Sequence, residues 1–394
     1  EDVRGLFQAA QVLGDRYGRM NLQFGELVTL GDIAKSFDEN GPPSRPSNDD
    51  RGVAVTPARR RAMVTRLAYR VMNEINRVTL VTAGALVSMA LLTHEQRGVS
   101  HADLVRICRE LGRILRAFGA RMSPSLAFDD GEVRESAVTD AIDLFIRAGH
   151  VEARETGKLD VKPSRKNRKK PVNHDADLVY VVPDEARLSL DLAKNIVVHF
   201  FVSHAMVAVA LFDSTVNEVA LGERVQALSR LFKYEFQFRA DAPFSQIFKE
   251  TLETMEADAE ITRDERGVRI SSDQHGERVH LYARVVRNFL EGYRVAARSL
   301  SALLRGPLTA KDLTKRAITT GERMFLAAEI TRREAVSKPL FDNAFSSFVD
   351  QGYLTRSEGK LALAASYATP ETLRTIEARV VELSTPLKIK SEEQ

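Results

Sequence analysis

The chain has 394 residues, 44% of them hydrophobic, enough for two or three domains with true cores. Lys and Arg total 57 against 54 Asp and Glu, which argues against nucleic acid bound over the whole surface and leaves only local basic patches to consider. The single cysteine, Cys108, excludes an intrachain disulfide framework, points to a reducing compartment and, on the apolar side of a predicted helix, reads as a buried structural thiol.

In chain order, Asp2 to Tyr17 predicts a helix with Val3, Leu6, Phe7, Ala10 and Leu13 on one face and Gly14 and Gly18 near its end. Met20 to Phe24 alternates apolar and polar residues, the pattern of a short strand before Gly25. A helix followed by a strand needs a sheet to join, and no other strand within reach is long enough. Residues 1–39 therefore read as the C-terminal end of an α/β domain lying mostly upstream, and a first residue Glu1 rather than Met suggests a fragment. Residues 40–57, NGPPSRPSNDDRGVAVTP, have the Pro, Gly, Ser and Asp content of an exposed linker.

Residues 66–92, RLAYRVMNEINRVTLVTAGALVSMALL, join an amphipathic helix to an almost wholly apolar one. Leu67, Val71, Met72 and Ile75 recur at helical spacing, whereas Ala83 to Leu92 carries no charge on any face. The stretch is expected at the centre of a helical core.

A weak internal repeat follows. Ser100 and Asp103 form an N-cap signature ahead of Leu104, Ile107, Leu111, Ile114 and Leu115, and Thr309 with Asp312 repeats it. The next helix in each copy ends at a glycine, Gly149 after Phe145 and Gly352 after Phe348, where a strand pair begins. A middle copy has lost this cap signature but keeps Ile247, Phe248, Leu252 and Met255 before a hairpin around Gly267. Long apolar helices precede the copies: Ala83 to Leu92, Ile196 to Phe212 and Val285 to Leu304. The second carries no formal charge over 17 residues, the lower edge of membrane-spanning length, but His199 and Ser203 inside it favour a buried core helix.

The expected architecture is mainly α: a helical region of three winged-helix-like units, 58–192, 193–275 and 276–385, then a tail, 386–394. Winged helices often bind DNA, yet the helices that would enter a groove carry Glu135, Asp140 and Asp143, then Glu250, Glu253 and Glu256, then Asp342 and Asp350, so phosphate is repelled. The strongest basic run, Arg165, Lys166, Arg168, Lys169 and Lys170, falls between two predicted wing strands. It reads as a solvated loop tip or as a patch for anionic lipid headgroups, worth about 1 kcal/mol per basic residue near such a surface; Arg59 to Arg61 could add to it. His199 and His204 are five apart, off the i, i+4 spacing of paired metal ligands, and read as satisfied core histidines. With no H-E-x-x-H, C-x-x-C, G-x-S-x-G or P-loop pattern, no metal, nucleotide or other cofactor is expected.

Residues 66–92 and the run KNIVVHFFVSHA from Lys194 resemble the C-terminal half of bacterial and mitochondrial-type glycerol-3-phosphate acyltransferases. YGRMNLQFGE from Tyr17 looks like the strand and turn that close the family's acyltransferase domain, and Arg147-Ala-Gly149 and Asp350-Gln-Gly352-Tyr353-Leu354 fit its helix-to-strand junctions. The family's chemistry uses a His-x-x-x-x-Asp pair, the Asp orienting a His general base toward the glycerol hydroxyl, with arginine-bearing motifs for the phosphate. Five residues after each histidine here stand Val99, Arg106, Glu155, Val179, His204, Val209, His280 and Val285, never Asp, and the arginine motifs are absent too.

The resemblance thus implies a catalytic half upstream and no catalytic residue within this chain. It implies the C-terminal region of a glycerol-3-phosphate 1-O-acyltransferase, acting in the first step of phospholipid synthesis. Acyl-CoA or acyl-ACP and glycerol 3-phosphate would be bound by the upstream domain, and an anionic membrane surface, on the cytoplasmic side of the cell membrane, would be a peripheral partner. Alternatives are a non-catalytic interaction scaffold of winged-helix-like modules and a dihydroxyacetone-phosphate acyltransferase.

Overall fold

The computed structural model describes residues 21–31, 56–155, 178–211, 215–236 and 242–384. The expected first helix, most of the linker, the basic run from Arg165 to Lys170 and the tail lie outside them. Residues 21–24 pair with no strand among the described residues. Instead the segment follows the first described helix, α1 (Pro57–Val78), with Gly25 against Glu74 and Val78 and Glu26 bridging Arg70 and Arg77. Thr56 caps α1 by accepting from the Arg59 backbone N–H, and Pro57 opens it.

A two-residue strand, β1 (Leu80–Val81), leads into α2 (Ala83–Thr93), buried from Ala85 to its end. Then come β2 (Gly98–Ser100), α3 (His101–Ala117), β3 (Arg121–Met122), which pairs in parallel with β1, α4 (Glu135–Ala148), β4 (Glu152–Glu155) and β5 (Leu178–Val181). The second stretch holds α5 (Arg187–Asn195), α6 (Val202–Leu211), α7 (Glu218–Leu231), α8 (Phe244–Ala257), β6 (Ile261–Asp264) and β7 (Gly267–Ile270). The third holds α9 (Gly276–Val285), α10 (Arg287–Ser299), β8 (Leu308–Thr309), α11 (Ala310–Leu326), α12 (Lys338–Asp350), β9 (Leu354–Ser357), β10 (Lys360–Leu363) and α13 (Pro370–Ser384). Helix dominates, as the patterning requires.

The repeat is visible in the pairing. β2 pairs antiparallel with β5, the second strand of its hairpin, as β8 does with β10. In the middle copy a single bridge, Val216 to Val268 in β7, takes the same place. Each copy is thus strand, helix, helix, hairpin, with the leading strand closing on the last.

The caps follow suit: Ser100 accepts from the Asp103 N–H at 3.1 Å and Thr309 from the Asp312 N–H at 3.2 Å, while in the middle copy Asn217 caps α7 through the Val219 N–H at 2.9 Å. At the second helix's end the backbone turns left-handed at Gly149 (φ 77°) and Gly352 (φ 74°), but at Ala259 (φ 57°) in the middle copy. The next N–H closes the same turn in all three, His150 to Phe145, Glu260 to Met255 and Tyr353 to Phe348.

Two sequence expectations change. Residues 196–212 are not one helix: α5 stops at Asn195, a 3-10 turn spans Val198–Phe200 and α6 starts at Val202. The β-branched run Ile196, Val197, Val198 is crowded in a helix, and Val197 sits at φ −114°, ψ −1°. The amphipathic half of residues 66–92 is not central either. α2 is buried among α3, α4 and α5, but the α1 residues Val71, Met72 and Ile75 stay 41%, 42% and 51% exposed, because no described element covers them.

Candidate functional site

Most deeply buried charge in this region joins helices to one another. Arg187 donates two hydrogen bonds to Glu334, at 2.6 and 2.9 Å, and holds that buried carboxylate below the usual range despite its desolvation. Lys194, in the run that carried the family resemblance, contacts Asp191 at 2.7 Å and donates to Asn288 at 2.9 Å. Asn288 in turn donates to Asp191, and Arg332 donates to the Leu92 carbonyl at the end of α2. These groups bond to one another across elements and tie α2, α5 and α10 together. Cys108 is fully buried, which pushes its thiol pKa up and makes it inert. Among the described residues no cluster of His, Cys, Asp and Glu could hold a metal ion, and no helix is long and apolar enough to cross a membrane.

A cavity of about 520 Å³ opens beside the C-terminal end of α1. Asn73, Asn76 and Arg77 border it from α1, His199, Ser203 and His204 from the break before α6 and its first turn, and Glu250, Thr251 and Thr254 from α8. The sequence singled out His199 and His204 as satisfied core residues, and the structure separates them. His199 Nε2 lies 2.9 Å from the Asn76 carbonyl, tying the helix break to α1. His204 stacks on Phe118 with ring centroids 4.2 Å apart and meets Tyr282 edge-on, and neither of its nitrogens has a hydrogen-bond partner. Its neighbours are rings rather than carbonyls, and burial pushes its pKa down to about 4. The contribution of α8 to this cavity could not be read locally, because it depends on how α8 packs on α6. The polar residues inside the apolar run were the only signal.

Running away from the cavity, one face of α1 carries Val64, Val71, Met72 and Ile75, spaced as a single stripe and 41–60% exposed. Leu22, Phe24 and Leu27, in the segment that packs on the Glu74 side of α1 through Gly25 and Glu26, are more exposed still, with Phe24 at 81%. Glu74, on another side of α1, is held by Arg70 and Arg77. The basic residues Arg165, Lys166, Arg168, Lys169 and Lys170 fall outside the described residues, so the structure does not place them relative to this face.

Comparison with known proteins adds the family. The family described as the glycerol-3-phosphate acyltransferase C-terminal region matches residues 1–357. The protein named as acyltransferase plsB1 in Mycobacterium tuberculosis is 22% identical over 353 residues, covering 87% of this chain and 50% of the relative. The glycerol-3-phosphate acyltransferase of Pseudomonas putida strain GB-1 is 23% identical over 367 residues, covering 92% of this chain and 41% of the relative, and that of Pseudomonas fluorescens is 21% identical over 369 residues. The chain spans about half the length of the curated relatives it matches, or less.

Proposed function

From the premise that the chain belongs to the glycerol-3-phosphate acyltransferase C-terminal region family, we propose that it serves as the non-catalytic partner of an acyltransferase domain. The reaction, on this reading, moves an acyl group from acyl-CoA or acyl-ACP to the sn-1 hydroxyl of glycerol 3-phosphate. It is carried by a half that the relatives have in addition to the part matched here. This region buttresses that half.

The observation that carries the reading is the apolar stripe of α1, Val64, Val71, Met72 and Ile75, which no described element covers. A stripe of exposed apolar side chains along one helix face fits an interaction site. The absence of a His-x-x-x-x-Asp pair from the sequence fits the same division of labour. Arg165, Lys166, Arg168, Lys169 and Lys170 then supply electrostatic attraction to anionic headgroups on the cytoplasmic face of the membrane, and salt should weaken it.

Complementation of a glycerol-3-phosphate acyltransferase-deficient strain tests the proposal. A gene extended to the relatives' length should restore growth, and the 394-residue segment alone should not. Acyl transfer by the segment alone, assayed with acyl-CoA and glycerol 3-phosphate, would overturn the division of labour. Failure of both genes, with both proteins expressed, would favour an interaction scaffold instead.

A further inference from the structure

A groove of about 690 Å³ runs between α6, α9 and α10, and the α1 stripe has no part in it. Its apolar wall comes chiefly from Ala208 and Val209 of α6, Val279 and Ala283 of α9 and Leu290 of α10, and Val381 of α13 lines it as well. The charged lining is Glu95, Glu277, Glu291 and Glu329 with Arg284, Arg287 and Arg294.

These charges are unevenly matched. Arg287 donates to Glu291 at 3.1 Å, and that carboxylate also accepts from the Thr331 hydroxyl and from the backbone N–H groups of Thr331 and Arg332. Arg294 meets Glu329 at 3.4 Å, and Arg298 meets it at 3.0 Å. His280, the remaining titratable group, already has an interaction of its own. At the far side a single guanidinium, Arg284, stands 3.8 Å from Glu95, beyond hydrogen-bond reach, while Glu277 has no hydrogen-bond or ionic partner among the described residues. One cation thus serves two carboxylates, and negative charge is left over.

The chain carries a complement to this groove. Glu377 of α13 is held by Arg294 and Arg298 of α10; one turn later Val381 reaches the groove, and α13 ends at Ser384. Residues 385–394, outside the described residues, read TPLKIKSEEQ. Pro386 cannot continue a helix and biases Thr385 to extended backbone. In an extended chain Leu387 and Ile389 face one way and Lys388 and Lys390 the other. The six residues from Ser384 to Lys390 reach up to ~20 Å, while the wall of α10 from Arg294 to Arg287 is only ~10 Å long.

We propose that residues 385–390 fold back into this groove as an intramolecular strap, Leu387 and Ile389 against the apolar wall and Lys388 and Lys390 beside Glu277 and Glu95. Glu392 and Glu393 come after the lysines and lie outside the contact. The strap is a property of this chain alone and does not depend on the acyltransferase reading, so its test is separable from the complementation result.

Ala283 is half-buried and lines the groove, and Cys108 is fully buried, so Ala283→Cys supplies a single reactive thiol beneath the strap. Maleimide labelling of that thiol should be at least about threefold slower in the 394-residue chain than in the same chain ended at Ser384. Within the 394-residue chain, the double reversal Lys388→Glu and Lys390→Glu should raise the rate to that of the shortened chain. A synthetic peptide of residues 385–394, added at roughly millimolar concentration to the shortened chain, should slow labelling saturably.

Cooperative thermal melts establish that each variant is folded, and either folded variant suffices for the comparison. Equal labelling with and without residues 385–394, or protection that survives the charge reversal, would overturn the proposal. Protection that grows with chain concentration would assign the groove to the tail of a second copy and overturn the intramolecular strap.

Discussion

Helices α1 and α2 are consecutive in sequence, separated by one short strand, and both are rich in apolar residues, yet they end up in opposite environments. Residues 85–93 of α2 are buried on every side by α3, α4 and α5, while α1 keeps Val64, Val71, Met72 and Ile75 in solvent. The patterning differs in kind. An apolar face all round demands enclosure, and an apolar stripe demands only one partner. In α2 the partner is this chain's own fold, and in α1 no described part of the chain supplies it. The contrast separates the helix that holds the fold together from the helix whose apolar stripe no described residue covers.

That contrast can be tested by substitution. Leu86→Ala in α2 should cost about 3 kcal/mol by chemical denaturation, because the residue is fully buried and its neighbours are close-packed. A loss under about 1 kcal/mol would mean α2 is not the core.

The buried side also holds a carboxyl against its preference. Glu260, 1% exposed, accepts from the Tyr282 hydroxyl at 2.5 Å, and burial raises its pKa from the ordinary 4.5 to about 7. The folded chain therefore binds more protons than the unfolded chain between those values, so this residue's contribution to stability declines as pH rises through that window. Glu260→Gln cannot ionise. Its stability relative to the parent should improve by up to ~2 kcal/mol between pH 4.5 and 8, and an unchanged difference across that range would contradict the burial argument.

Within the repeat, Ala259→Gly should add ~0.5–1 kcal/mol by relieving the left-handed turn that Gly149 and Gly352 make without strain, read as a rise in thermal midpoint. A fall would show that the turn is not strained. Ile75→Ser on α1 should be nearly silent in this segment, within about 0.5 kcal/mol, since the side chain is half in water already. A loss as large as that of Leu86→Ala would erase the distinction between the two helices.

What could be read in the sequence was local. The Ser100–Asp103 and Thr309–Asp312 caps, the glycine turns at Gly149 and Gly352 and the strand pair that begins after Gly352 are set by residues within a few positions of one another. The burial of Ala85 to Leu92 and of Cys108 followed from composition and periodicity.

What could not be read depended on distant partners. The strands that lead each copy, β2, Val216 and β8, are too short to announce themselves and exist because a hairpin edge waits for them. The break at Ile196 to Val198 is stabilised by His199 reaching α1. His204 needed Phe118 and Tyr282 to be placed before its nitrogens could be known to lack partners. The exposure of α1 was illegible for another reason: an apolar stripe looks the same whether its partner is in the same fold or in another one.

The most direct test of the central claim uses the fact that Cys108 is the only cysteine and is fully buried. Ile75→Cys places one reactive thiol on the α1 stripe, and its maleimide labelling rate can be compared between this segment and a chain extended to the relatives' length. The account predicts fast labelling in the segment and at least about tenfold protection in the extended chain, as expected for a residue buried at an interface. Equal rates in both would mean that the stripe faces water in the extended chain as well, and that α1 does not dock the proposed catalytic half.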